Sequence, residues 1–311
     1  MKILYVSTYY DYGSLFSTNG LINFFSIYYD KVIILCHWNF ISFIELMYAH
    51  DDTINPVSYD YFLNCHIEDK KFFGLSIDEN TFDFISLVYR VDNVNNHHIS
   101  VSQFLDKHLP GKVFYAHDDI GTPSLIGKEF GFHNISFGGK YKQALLEYDN
   151  CSYWFYNCNG MPHDIKYKNF MFHRLYEDEN KLFDSLNINS DYVAICEYSS
   201  QYNIEDQTSN PVENLIDRKY LNEKDVTVNL HNLSEKYLDI LKVVENAKEV
   251  HLIENSVALF IYFMQISARM KKVPIKLHAY ARKEMKRDYK TNPHFLNMLL
   301  NPKLDNWEVI Y

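Results

Sequence analysis

The last third of the chain constrains its fold more than any other stretch. Val226 to Leu230 is a short apolar run, Ser234 to Ala247 carries apolar residues at helical spacing, and Glu249 to Ile253 is again strand-like. In the middle segment Tyr237, Leu241, Val244 and Ala247 would share one face, the pattern of a helix that buries one side. A second, almost wholly apolar helix is predicted from Val257 to Met270, closed by Lys271 and Lys272, whose charges suit a helix C-terminus. A strand from Ile275 to Tyr280 follows. Two consecutive strand–helix–strand crossovers make half of a doubly wound parallel sheet, which places the chain in the α/β class.

The opening repeats that grammar. Ile3 to Ser7 reads as a buried strand, Tyr9 to Ser14 as a polar loop, Leu15 to Tyr28 as an apolar helix and Val32 to Cys36 as a second strand. The loop would lie at the carboxyl end of the first strand, where open α/β sheets form their ligand crevice. His37-Trp38-Asn39 would end the second strand before a helix from Ile41 to Tyr48, and Lys112 to Ala116 reads as a later strand ending in His117-Asp118-Asp119. From about Phe132 to Pro162 the pattern is irregular, as in a crossover between domains. The 311 residues suffice for two domains, read as 1–169 and 170–311. In the second, Leu175 to Leu186 is predicted helical, Tyr192 to Cys196 a buried strand, and Ser199 to Lys224 a long loop with little regular structure.

Charge and composition exclude several classes. A net charge of -10 argues against broad duplex nucleic-acid binding, which draws its affinity from basic side chains. The basic stretch from Arg269 to Lys290 reads either as a local phosphate-binding patch or as a solvated face. Five cysteines without zinc-knuckle or redox spacing read as reduced thiols of a cytosolic protein. The N-terminus reads as a strand, not a signal peptide, and the longest apolar stretch, Val257 to Ile266, is too short to span a bilayer. A cytoplasmic protein is expected, with peripheral membrane contact left open. Heavy use of Tyr, Phe, Asn, Ile and Lys fits an AT-rich genome.

Chemistry is expected where strands end. At Glu254-Asn255-Ser256 a strand hands over to a helix, so Asn255 or Ser256 would cap the helix while its free N–H groups face outward, an arrangement that holds phosphate without metal. Tyr198 and Ser199 would follow the adjoining strand, and His278, Tyr280 and Arg282 the last one. Gly138-Gly139-Lys140 lacks the spacing of a phosphate loop, and neither a nucleophile elbow nor an HExxH motif is present. His97-His98 and His117-Asp118-Asp119 offer ligands or a base, though adjacent residues on a strand point apart, and no metal site is expected.

One resemblance adds to this reading. Phe155-Tyr156, Met161-Pro162, Asn169-Phe170, Arg174, Glu179, Leu182-Phe183, the run Val244 to His251, Asn255-Ser256 and His278 to Arg282 together resemble glycosyltransferase-like proteins of large DNA viruses, phages and bacteria, distantly similar to heptosyltransferases and NodZ-like fucosyltransferases. The resemblance implies a GT-B fold, two facing Rossmann-like domains with a nucleotide sugar held by the second and a glycan acceptor by the first. It also implies transfer without a cofactor or metal. Asn255, Ser256 and Arg282 would hold the diphosphate, and Tyr198, Ser199, His278 and Tyr280 would line the nucleotide or sugar. Heptosyltransferase-like relatives often carry Gly-Asp after the first strand, where this chain reads Gly13-Ser14, so the catalytic base falls to Asp11, His117 or Asp118. A catalytically inactive binding or assembly protein of a polysaccharide pathway is the alternative.

Overall fold

The computed structural model describes residues 3–8, 12–58, 61, 71–72, 75–76, 82–87, 113–115, 162, 164–203, 208–212, 216–234, 237–281 and 304–311. The chain divides into two compact units, Met1–His173 and Arg174–Tyr311.

In the first unit, strands β1 (Ile3–Thr8), β2 (Lys31–Cys36), β3 (Ile54–Ser58), β6 (Phe82–Leu87) and β7 (Val113–Tyr115) form one parallel sheet in the order β3-β2-β1-β6-β7. Two short strands, β4 (Lys71–Phe72) and β5 (Leu75–Ser76), pair antiparallel outside it. The inner strand β2 is apolar and buried almost throughout because a parallel sheet is covered on both faces. The strand order reverses between β1 and β6, the position at which such sheets open a crevice. Helix α1 spans Tyr12–Ser26, three residues earlier than the predicted start, so Gly13 and Ser14 lie in its first turn and not in a loop. Helix α2 (Ile41–Met47) follows a 3-10 turn over Trp38–Phe40.

A short helix α3 (Ile165–Lys168) and the segment after it dock on α1 through a glycine and an asparagine. A Cβ on Gly20 would stand 2.6 Å from the Lys166 carbonyl oxygen and 2.8 Å from that of Ile165, so only glycine allows this approach. Buried Asn19 both donates to the Met171 carbonyl and accepts from the Met171 N–H, each at 2.9 Å, replacing a backbone pair with one side chain.

The second unit carries β8 (Tyr192–Cys196), β11 (Val226–Asn229), β12 (Glu249–Ile253), β13 (Ile275–His278) and β14 (Trp307–Ile310), all parallel, in the order β11-β8-β12-β13-β14. This is a flavodoxin-like order with its switch point between β8 and β12. The segment expected to be a loop from Ser199 to Lys224 instead holds an antiparallel hairpin, β9 (Ser199–Asn203) with β10 (Thr208–Val212), and a 3-10 turn at Arg218–Tyr220.

Helix α4 covers Tyr176–Ser185. The predicted helix from Ser234 to Ala247 is shorter than its periodicity suggested: α5 spans only Leu241–Asn246, and Tyr237 sits at φ 54°, a left-handed conformation that breaks a helix. Leu238 and Ile240 are buried before α5 begins, so the apolar spacing there marks a packed turn. Arg174 binds Glu245 of α5 at 2.8 and 2.9 Å while also holding the buried Glu179 of α4, a paired arrangement that joins the two helices.

Helix α6 (Ser256–Ile266) is apolar around nearly its whole circumference and correspondingly buried. Its exception, Gln265, accepts from Trp307 Nε1 and from Asn306 Nδ2, both at 2.8 Å, which docks β14 against the helix. The helix ends short of the predicted Met270 because Ser267 bonds back to the Phe263 carbonyl and Ala268 turns to φ 55°.

Candidate nucleotide crevice of the second unit

Cys196 and Ile253 are the last residues of the two strands flanking the switch point, and Asn255 ties the loops beyond them together. Its Oδ1 accepts the Ala258 N–H at 2.9 Å, the bond of a helix N-cap, while its Nδ2 donates to the Tyr198 carbonyl at 2.9 Å and lies 3.3 Å from Cys196 Sγ. The amide thereby fixes the start of α6 against the end of β8. Other first-turn N–H groups of α6, beginning at Ser256, lack intrahelical acceptors, and the helix dipole gives that end a partial positive charge. Burial pushes the neighbouring Cys196 thiol up to about 11, so it acts here as an uncharged contact and not as a thiolate.

Beside this terminus stands an aromatic wall. The Tyr198 and His231 rings stack with centroids 3.4 Å apart and 5° between planes, and Tyr237 lies beyond His231 with centroids 6.2 Å apart. His231 stands two residues beyond β11, in the turn Leu230–Asn232 that Asn229 caps by accepting the His231 N–H at 3.0 Å.

On the other side a strap, residues 216–221, crosses the sheet's carboxyl edge. Glu197, the buried residue after β8, accepts the Ile216 N–H at 3.3 Å and the Arg218 guanidinium at 2.9 Å. Arg218 keeps 55% of its side chain exposed, so a cation held by a buried carboxylate is presented at the crevice rim. Tyr280 accepts the Asp217 N–H at 2.9 Å, and Ile216 packs with Ile253 and Ala281. Tyr220 meets His278 edge-on at 5.4 Å.

Of the residues expected at this site, Tyr198, Asn255, Ser256, His278 and Tyr280 occupy the carboxyl edge of one sheet. Ser199 opens β9, and its side chain is outside the described residues, as are Arg282, Asp11, His117 and Asp118. The sequence reading missed Arg218, His231 and Glu197 as site residues; local motifs do not mark them, because their roles come from contacts across the fold. Of the basic stretch, Lys276 pairs with Glu249 and Lys272 with Asp305. Among the described residues no group of three or more His, Cys, Asp or Glu side chains is placed to hold a metal, and no helix is long and apolar enough to cross a membrane.

Two doubly wound parallel sheets in succession, the second with a capped helix terminus and aromatic wall at its switch point, define a tandem Rossmann-like α/β protein. No protein-family profile and no curated protein matches the sequence. Solved structures with similar folds include a glycosyl transferase family 9 protein from Veillonella parvula, at 9% identity and a TM-score of 0.48, covering 89% of this chain and 80% of that one. An ADP-heptose lipopolysaccharide heptosyltransferase II from E. coli gives 9% identity and 0.46 over 100% and 90%. The E. coli heptosyltransferase WaaC with ADP gives 10% identity and 0.37 over 89% and 87%.

Proposed function

We propose that the protein is a nucleotide-sugar glycosyltransferase whose second unit binds the donor. The observation that carries this reading is Asn255, which caps α6 and in the same stroke fixes the Tyr198 loop, bringing an anion-binding helix terminus and a ring-stacking wall to one switch point. The diphosphate would sit at the start of α6, near Ser256, with Arg218 and Arg282 as its cations. The base would continue the stack formed by Tyr198 and His231, and the sugar would approach Tyr280; His278, expected to line it, is fully buried and bonded to Tyr280. The family resemblance carried by Val244 to His251, Asn255-Ser256 and His278 to Arg282 agrees with this assignment.

In the reaction an acceptor hydroxyl attacks the anomeric carbon, the bond from that carbon to the diphosphate oxygen breaks, and the diphosphate leaves with the electron pair. The α6 N–H groups and the arginines offset the charge that develops on the leaving group, so no divalent metal is required. The hydroxyl proton goes to a general base. Asp11, in the segment after β1, is the proposed base, with His117 and Asp118 after β7 as the other choices.

The test is calorimetric and thermal-shift binding of UDP, GDP, ADP and CMP and their sugar conjugates, with and without EDTA, on the wild type and on Ser256→Ala and Arg218→Ala. A nucleotide at about 100 times its Kd should raise apparent stability by roughly 2.7 kcal/mol. EDTA should leave the effect unchanged, and Arg218→Ala should weaken binding about tenfold or more. Absence of binding by every nucleotide at millimolar concentration contradicts the proposal.

Gly13-Ser14 at the start of α1 favours a second reading, a protein that binds the nucleotide sugar without turnover. Nucleotide binding with no sugar transfer or donor hydrolysis, unaltered by Asp11→Asn, would select it.

A further inference from the structure

Paired residues of a parallel sheet share a face, so Ile195, His251, Lys276 and Glu308 form a row across β8, β12, β13 and β14. Along that face runs a continuous hydrogen-bonded chain. Glu249 Oε1 lies 3.2 Å from His251 Nε2, His251 Nδ1 lies 2.8 Å from His278 Nε2, and His278 Nδ1 lies 3.1 Å from Tyr280 Oη. Tyr280 Oη in turn accepts the Asp217 N–H of the strap. Both imidazoles are fully buried.

Proton arithmetic leaves one arrangement with neutral rings in which every contact is a bond. Glu249 is held ionised by Lys276 and His251 despite its partial burial, so it accepts and His251 must carry its proton on Nε2. His251 Nδ1 is then an acceptor, His278 must donate from Nε2, and its Nδ1 accepts the Tyr280 hydroxyl proton. The chain therefore points one way, from Tyr280 at the crevice to Glu249 at the opposite end of the sheet.

We propose that Glu249, His251 and His278 are positioning residues that act through Tyr280. They aim its proton inward, so that its oxygen is left to hold the Asp217 amide and, with it, the strap that presents Arg218. This deepens the donor-site reading, on which the role given to Arg218 rests; the chain itself does not. One added proton is accommodated on His278, or on His251 with His278 shifted to its Nδ1–H tautomer. In both cases His278 donates from Nδ1 to Tyr280, whose own proton must then turn toward the crevice. A second added proton would put N–H groups on both facing nitrogens and break the pair.

The groups facing the imidazoles are Glu249 on β12, Lys276 on β13, Glu308 on β14, and Asp217 and Tyr220 on the strap. Burial first, and then His251 and Lys276, push His278 down to about 4, with Asp217 opposing; burial likewise lowers His251 against the pull of Glu249. The neutral chain is thus the state near neutral pH.

The experiment compares the full-length wild type with His251→Leu, which removes the acceptor, and His251→Asn, which keeps an oxygen near the Nδ1 position. Ring nitrogen shifts by NMR should show the Nε2–H tautomer for both histidines in the wild type and for His278 in His251→Asn. In His251→Leu, His278 should lose that tautomer preference and the Asp217 amide should exchange faster by about tenfold or more. With inorganic pyrophosphate as the probe, affinity should fall about tenfold in His251→Leu and no more than about threefold in His251→Asn. An Nδ1–H tautomer or an imidazolium at pH 7.5 in the wild type overturns the proposal, as does unchanged Asp217 exchange in a folded His251→Leu protein. Should pyrophosphate fail to bind the wild type, the donor-site reading falls, while the tautomers and the amide still decide the chain.

Discussion

Asn255 and Tyr198 are bound side chain to backbone, Nδ2 to carbonyl oxygen at 2.9 Å, across the point where the strand order of the second sheet reverses. One amide thus serves the helix and the loop at once. Asn255→Asp keeps the acceptor for the Ala258 N–H but loses the donor to Tyr198, whereas Asn255→Ala loses both. Asn255→Ala should cost about 1–2 kcal/mol of stability and Asn255→Asp less. Both should weaken nucleotide binding, since a carboxylate at this terminus repels phosphate. Urea denaturation paired with calorimetry separates the two effects, and equal loss of stability in both variants would contradict the dual role.

Gly20 gives a sign test. Alanine is the better helix former by about 1 kcal/mol, so an unobstructed Gly20→Ala in α1 would stabilise the protein. A Cβ placed 2.6 Å from the Lys166 carbonyl reverses that expectation, because the three obstructing atoms are all backbone. A loss of about 1–3 kcal/mol is expected, seen as a Tm lowered by several degrees. A raised Tm would show that α1 and α3 do not approach as described.

Arg174 stands between Glu179 and Glu245, and Glu179 is only 1% exposed. Arg174→Met leaves that carboxylate buried without its cation and should cost about 3–5 kcal/mol. Adding Glu179→Gln should recover part of the loss. A double variant no more stable than the single one would place the energy elsewhere.

Acid should destabilise the protein before its carboxylates titrate. An unfolded histidine protonates near pH 6.5, while folded His278, pushed down to about 4, stays neutral longer. Between those values the unfolded state binds more protons, so stability present above pH 6.5 is lost as pH falls toward 4, by at most about 3 kcal/mol. Urea midpoints measured from pH 7.5 to 4 should show this slope in the wild type and a shallower one in His278→Gln.

Strands β8 and β12 of the second unit were legible because burial on both faces writes them as short apolar runs, whereas β14 was not read from the sequence. Tyr192–Cys196 and Glu249–Ile253 match their runs residue for residue. Asn255 was legible as a cap, since Asn-Ser before an apolar helix has a local meaning. The segment before α5 misled because buried residues in an irregular turn can mimic helical spacing, and nothing local announces the φ of Tyr237. The β9–β10 hairpin was missed because its residues are polar and include Pro211. Arg218 with Glu197, Tyr198 with His231, and His251 with His278 meet only through the fold, at separations no motif spans.

The most direct test of the central claim is calorimetric titration of the wild type with nucleoside diphosphates in EDTA, repeated with Asn255→Ala. The account expects one nucleotide to bind without metal and Asn255→Ala to weaken it at least tenfold while the protein stays folded. Wild-type affinity retained in Asn255→Ala, or no binding by any nucleotide at millimolar concentration, would contradict a donor site at the start of α6.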